Sequence, residues 1–352
     1  MATILMVHGV GSSADAFVKL APAFRERGWK VVAPTLRDEL RPTANPPEAL
    51  NKVSLADYVA DVSALAKKIT AEDGAPPVVF GHSMGGMLAQ KLAEAGLVRA
   101  AVLITPASPP DARTGRSLAQ AVTFANILFS GRPENRSHRI WKTGFTWGVL
   151  NCVPKARHDE IYRHRRYDSG RVYADLAYPD EDPNRAAFVD EAKITVPMLV
   201  IGGAKDRTTP IADVRKCAEK YRKVGADYRE YPNNGHWIVD EPGTDRVIGD
   251  IAGWLEAKGL TPAATKPAAK AAPAAKPKAA AKPKAAPKPA ARATAKPKAE
   301  PALKPAAAAP AKAKTAAAAK KAPAKAAAKP AAKPKAAAAK PAAAKKTAPK
   351  KR

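Results

Sequence analysis

The reading of this chain turns on one stretch, Val78-Val79-Phe80-Gly81-His82-Ser83-Met84-Gly85-Gly86-Met87. A short apolar run ends in G-x-S-x-G, and a helix-forming run, Leu88-Ala89-Gln90-Lys91-Leu92-Ala93-Glu94, follows it. Strand, sharp turn and helix in that order make a nucleophile elbow, where a serine on a strained turn projects its hydroxyl from the top of a sheet. Gly81 and Gly85 leave room where a Cβ would strike neighbouring backbone. The following helix aims its N-terminus, the positive end of its dipole, at the reacting centre. The pattern alone arises by chance in many chains, where the serine is only a turn residue. The flanking elements and the partners downstream make it specific.

Working outward, Thr3–Val7 is wholly apolar and reads as a buried parallel strand that breaks at His8-Gly9-Val10-Gly11-Ser12-Ser13. A helix over Ala14–Arg27 stops at Gly28, Lys30–Pro34 is the next strand, and Arg37–Val53 is a Pro-rich loop. Leu55–Ala71 is an amphipathic helix with Leu55, Val59, Val62, Leu65 and Ile69 on one stripe and Ser54 as N-cap. A strand follows the elbow helix at Ala100–Thr105. From Pro106 to Thr195 the alternation stops: Ser117–Phe129 reads as helix, no strand is evident, and residues 107–195 are expected to form an inserted helical cap. The sheet resumes at Pro197–Gly203, followed by a helix at Pro210–Lys223 and a strand at Tyr228–Tyr231. The last helix is Asp245–Lys258, with Val247, Ile251, Trp254 and Leu255 inward. Such alternation predicts an α/β class with a doubly wound, mostly parallel sheet and helices on both faces.

A serine hydroxyl is a poor nucleophile until a neighbouring base takes its proton, and a histidine base is held in the right tautomer by a carboxylate. After Ser83 the sequence offers Asp206, just beyond the strand ending at Gly203, and His236, just beyond the next strand. Both loops fall on the sheet edge that carries the elbow. Asp206 as a mere helix cap is the bland alternative, and Asp182 and Asp213 are the substitutes. His138, His158 and His164 fall in the cap. His8 and His82 read as structural, through hydrogen bonds around the loop after the first strand. A tetrahedral intermediate needs two preorganised N–H donors, expected from Met84 and from Val10 in the Gly9–Gly11 loop. Phe124, Phe129, Trp141, Phe145 and Trp147 read as cap core rather than acyl pocket. The basic run Arg157–Arg171 reads as a solvated face, with contact to an anionic substrate as the weaker alternative.

On H-G-x-G at His8–Gly11, G-H-S-M-G-G at Gly81–Gly86, G-x-x-D-x-x-x-P at Gly203–Pro210 and the late Gly235-His236, residues 2–258 resemble the α/β-hydrolases of esterase and lipase type. The chain is similar to small bacterial esterases related to plant methylesterases and hydroxynitrile lyases. The resemblance implies the α/β-hydrolase fold, a cap over the site, no cofactor, and hydrolysis of a small-molecule carboxylic ester through an acyl-enzyme. The two N-terminal strands of larger members are expected to be missing. The lyases place a Lys directly after the catalytic His; Trp237 stands there and argues against cyanohydrin cleavage. Ser83 argues against epoxide and haloalkane hydrolases, which need an Asp nucleophile.

Composition divides the chain near Gly259. Of 60 Lys and Arg, residues 261–352 hold 25, against one acid, Glu300, so +24 of the overall +28 sits there and residues 1–260 carry +4. This segment repeats Ala, Lys and Pro, has no Phe, Trp or Tyr, and is expected to be disordered. A polybasic chain binds nucleic acid or other polyanions by counterion release. The rival reading therefore makes the protein a polyanion-binding or granule-associated interaction protein whose folded part, residues 1–260, is a scaffold. Two cysteines, Cys152 and Cys217, form no metal-like cluster and fit a reducing cytoplasm. The N-terminus reads as a strand rather than a signal peptide, and no apolar run approaches the length of a membrane span.

Overall fold

The computed structural model describes residues 2–115 and 117–262. In chain order the strands are β1 (Thr3–Val7), β2 (Lys30–Val32), β3 (Val78–His82), β4 (Ala100–Ile104), β5 (Ser137–His138), β6 (Asp168–Ser169), β7 (Met198–Gly203) and β8 (Asp227–Tyr231). The longer helices are α1 (Leu20–Glu26), α2 (Leu55–Asp73) and α3 (Met84–Glu94), then the short cap helices α4 (Leu118–Thr123), α5 (Ala125–Leu128), α6 (Lys142–Gly144), α7 (His158–Arg163) and α8 (Gly170–Ala177), then α9 (Ile211–Arg222) and α10 (Thr244–Ala257). Six strands form one sheet in the order β2-β1-β3-β4-β7-β8, and every pairing in it is parallel. Register sets Met6 beside Phe80 and Phe80 beside Val102.

Successive side chains of a strand point to opposite faces, and here each face has its own apolar layer. Ile4, Met6, Phe80, Val102 and Ile201 pack with Phe24 of α1 and Ile251 and Trp254 of α10. Leu5, Val7, Val79, Leu103 and Val200 pack with Val62 of α2, Leu88 of α3 and Val214 of α9. Strands covered on both faces read as unbroken apolar runs, which is why they stand out in the sequence. Each such side chain, once buried, contributes about 1.5–3 kcal/mol. β8 is one of the two edge strands, and its Asp227, Tyr228 and Arg229 are exposed; polar residues there blunt pairing with another chain.

Helix α2 begins with Ser54 as expected. Ser54 and Asp57 form a capping box, with Asp57 N donating to Ser54 Oγ at 3.2 Å and Ser54 N to the Asp57 carboxylate at 2.8 Å. Its buried stripe is Leu55, Tyr58, Val62, Ala66 and Ile69, while Val59 and Leu65 are half-buried. The stripe is turned because Tyr58 reaches into the cap, where its hydroxyl donates to Asp168 at 2.8 Å.

Three expectations are corrected in detail. The helix expected over Ala14–Arg27 is a 3-10 turn at Ala14–Phe17 followed by α1. Pro22 has no N–H to continue a helix through Val18, but it is tolerated in the first turn of a helix started afresh at Leu20. The helix expected over Ser117–Phe129 is broken into α4 and α5 at Phe124. The cap also holds strands: β5 and β6 pair antiparallel, Ser137 with Ser169 and His138 with Asp168. Two residues per strand carry no periodicity that a sequence could show. From residue 263 on, the basic Ala/Lys/Pro segment, and with it the disorder expected of it, lies outside the described residues.

Candidate active site

Ser83 follows β3 at the first turn of α3 with φ 58° and ψ −120°. A non-glycine residue held there is strained, and such strain persists only where surroundings over-determine it. They do so through glycine. A Cβ on Gly81 would meet Gly85 O at 2.1 Å, one on Gly85 would meet Val7 O at 1.9 Å, and one on Gly86 would meet Pro106 Cβ at 2.5 Å. The serine's own backbone is tied at both ends: its N–H donates to Ile104 O at 3.1 Å, and its C=O accepts from Gly86 N and Ala107 N, each at 2.9 Å. Met84 opens α3, so its N–H belongs to the unpaired first turn of a helix.

The loops after β7 and β8 bring Asp206 and His236 together. His236 Nδ1 lies 2.8 Å from Asp206 Oδ2, with both side chains almost wholly buried. Asp206 is fixed by Thr208 N and Thr209 N, which donate to Oδ1 at 2.7 and 2.8 Å, and by Thr209 Oγ1, which donates to Oδ2 at 2.7 Å. With Nδ1 paired to the carboxylate, Nε2 is left to face the cavity. The His236 carbonyl accepts from His82 Nε2 at 2.9 Å and from Thr105 Oγ1 at 3.2 Å. Glu241 holds the turn just before it, accepting from Gly235 N at 2.8 Å and Asn234 Nδ2 at 3.1 Å. Burial pushes the Glu241 carboxyl above its ordinary value. The alternative carboxylates serve elsewhere: Asp182 accepts from Asn184 N and Ala186 N, and Asp213 binds Thr114.

Gly9 lies against the elbow, where an added Cβ would stand 2.9 Å from Ser83 Cβ and 3.3 Å from Oγ. This contact brings the Val10 backbone beside the serine. His8 is fully buried, with Nδ1 2.8 Å from Gly9 O and Nε2 3.0 Å from Leu36 N. Nε2 accepts the Leu36 N–H, so Nδ1 carries the proton and donates to Gly9 O. A trans peptide then sends the Val10 N–H the opposite way from that carbonyl. Burial, with Arg41 close by, pushes His8 well below the usual histidine range, and burial takes His82 down to about 3. Both remain neutral braces. His8 orients the loop after β1, whereas His82 braces the His236 loop rather than the loop expected for it.

The cap closes over these groups. Gly9, Val10, Ser83, Phe124, Phe145, Arg165, His236 and Trp237 are among the residues lining one cavity of about 20 Å³, room for one water. Ser83 Oγ and the His236 ring share this space, and Ser83 Oγ makes no hydrogen bond to another described residue. Of the five aromatic residues read as cap core, Phe124 and Phe145 line the cavity, whereas Phe129 is 87% exposed and Trp141 and Trp147 are each 39% exposed. The basic run is not simply a solvated face. Arg157 pairs with Asp240 through two bonds at 2.9 and 2.7 Å, and Arg165 is buried in the cavity wall.

Several supports carry no local signal in the sequence. Arg41 and Asp168, 127 positions apart and both fully buried, pair at 3.0 Å, and Asp168 also accepts from Gly11 N at 2.8 Å. Thr209 and Glu241 are likewise ordinary loop residues in sequence. Among the described residues no group of His, Cys, Asp and Glu is placed to hold a metal ion, and no helix is long and apolar enough to cross a membrane.

Comparison with known proteins agrees with this architecture. The chain is 26% identical over 256 residues to a monoacylglycerol lipase of Mycolicibacterium smegmatis, covering 72% of this chain and 87% of that one. Its fold is similar to that of a pyrethroid hydrolase from Sphingobium faniae, with a TM-score of 0.54 at 17% identity over 73% of this chain and 98% of that one. It is also similar to a methylesterase from Arabidopsis, with a TM-score of 0.53 at 13% identity over 73% and 99%. Residues 4–249 match the model of the alpha/beta hydrolase family, and with a parallel sheet, a glycine-walled elbow and an inserted cap in place, the chain belongs to that family.

Proposed function

We propose that the protein is a serine hydrolase that cleaves small carboxylic esters through an acyl-enzyme. Ser83 Oγ attacks the ester carbonyl while His236 Nε2 takes its proton. The oxyanion forms between the N–H groups of Val10 and Met84. As the carbon–alkoxy bond breaks, His236 returns the proton to the leaving alcohol. A water then attacks the acyl-serine, gives its proton to His236, and the acid departs as Ser83 regains its hydrogen. Asp206 keeps Nδ1 protonated and stabilises the imidazolium of each transfer. No cofactor enters these steps.

One observation carries this reading: His236, paired with Asp206 at 2.8 Å, lines the same cavity as a serine held at positive φ. The name of the Mycolicibacterium relative, a lipase, belongs to the same reaction class. The test is a fluorophosphonate probe. Wild-type protein is expected to be labelled once, on Ser83. Ser83→Ala is expected to keep the fold, lose the label and lose roughly 10⁶-fold in kcat. Labelling of Ser83→Ala at the wild-type rate overturns the assignment.

A further inference from the structure

Arg165 stands out among the cavity-lining residues. It is only 3% exposed. Its Nη1 donates to Ser12 Oγ at 2.8 Å, which ties it to the loop after β1. Its Nε is buried with no partner, and no described carboxylate comes within 4 Å of the guanidinium. The guanidinium sits over two rings, 4.8 Å from the Trp237 centroid and 5.3 Å from that of Phe145. Rings attract a cation through their quadrupole but supply no opposite charge.

The acids of this region are already engaged. Asp168 accepts from Arg41, Gly11, Tyr58 and Ser169. Asp206 is taken by His236 and the Thr208–Thr209 backbone. Asp15 is 60% exposed and pairs with Ser13 and His164. Burial, the largest influence, pulls Arg165 down to about 9, which leaves it charged at neutral pH. A buried charge without a partner is expensive to keep. The cost is relieved if an anion arrives with the substrate. The side of the guanidinium not used by Ser12, Nε with Nη2, has the fork geometry that takes a carboxylate through two parallel hydrogen bonds.

We propose that Arg165 is a specificity-determining residue that receives a carboxylate on the substrate, so that the preferred substrates are esters carrying a second, ionised carboxylate, such as half-esters of dicarboxylic acids. This rests on the esterase reading above and narrows its substrate class. Ser83, His236 and Arg165 line the same cavity, so one molecule bridges the reacting carbonyl and the guanidinium. Because the cavity is tight, the chain between the two carboxyl groups is short, and cap side chains yield to admit it.

The experiment compares kcat/KM at pH 7 for methyl half-esters from malonate to adipate with their neutral isosteres, the methyl esters of the corresponding half-amides. Acetoxyacetate and its amide, tested alongside, place the carboxylate on the alcohol side instead. Wild-type protein is expected to prefer at least one acid over its amide by tenfold or more, chiefly through KM. In Arg165→Gln that ratio is expected to collapse toward one, and Arg165→Lys is expected to retain part of it. Thermal unfolding checks that the variants fold. If they do not, the wild-type ratios decide. Ratios at or below one across the whole series, in a protein that the fluorophosphonate labels on Ser83, overturn the proposal and leave the esterase reading standing. An Arg165→Gln variant that folds and keeps the wild-type ratio also overturns it. Absence of both labelling and hydrolysis brings down the esterase reading and this proposal with it.

Discussion

The two walls of the cavity are built on different principles. The sheet wall is made of backbone: Gly9, Gly81, Gly85 and Gly86 sit where no Cβ fits, and neutral imidazoles of His8 and His82 brace carbonyls. The cap wall is made of side chains: Phe145 and Arg165 reach in from short, broken segments, Arg165 is held by Ser12 and stacks on Phe145, and Asp168 in the cap is held by Arg41 and Tyr58 from outside it. The first wall sets where charge develops during the reaction, which needs rigid, preorganised dipoles. The second sets which molecule fits, which needs side-chain chemistry that changes without disturbing the sheet. Damage to the two should therefore be read out differently, as lost catalysis on one side and as lost stability or altered selectivity on the other.

Asp206→Asn is expected to give the largest catalytic effect in this contrast after loss of Ser83 itself. A mis-oriented imidazole affects the transition state rather than binding, so kcat should fall by roughly 10³ to 10⁴ with KM little changed. Steady-state kinetics on a methyl ester checks this, and a loss below tenfold would assign the orienting role to another carboxylate. On the cap side, Asp168→Asn should act through stability. It leaves the fully buried Arg41 guanidinium without its opposite charge, a change that typically costs about 3–5 kcal/mol. Denaturant unfolding should show a midpoint well below wild type. An unchanged midpoint with lost activity would move Asp168 from the cap wall's support to the chemistry.

Glu241 tests the sheet wall at smaller amplitude. Its carboxyl binds a proton more tightly in the folded protein than at its ordinary 4.5. The folded state therefore holds more protons than the unfolded chain as pH rises from that value to the folded one, and stability falls over this window. Glu241→Gln should flatten the slope there. Its kcat should drop only a few-fold, about 1 kcal/mol in barrier, because a Gln oxygen still accepts from Gly235. Urea midpoints measured across the window check the sign; a steeper slope in the variant would contradict it. The smallest effect is expected from truncation after Gly259. kcat/KM on a small neutral ester should stay unchanged, while salt-sensitive binding to polyanions, where wild-type protein shows it, should vanish with the +24 that is removed. A truncated protein with weakened hydrolysis would bring that segment into the site.

Much of the sheet wall could be read from the chain itself. A parallel strand buried on both faces must be an apolar run, an elbow must place glycines around its serine, and loops following parallel strands must emerge on one edge. These local requirements mark Thr3–Val7, the apolar run that begins at Val78, and Pro197–Gly203 as strands, single out Ser83, and point to Asp206 and His236 as neighbours, which lie 2.8 Å apart. The cap was legible only as an interruption of that pattern. The pairing of β5 with β6, the break at Phe124, the meeting of Arg41 with Asp168 and the burial of Arg165 beside Ser12 all join positions distant in the chain. No periodicity or turn chemistry encodes such meetings, because a charged side chain in a short irregular segment looks the same whether it ends in solvent or in a cavity. Its fate is decided by which partners and how much burial the folded chain brings to it, and for this protein that decision fell to tertiary packing.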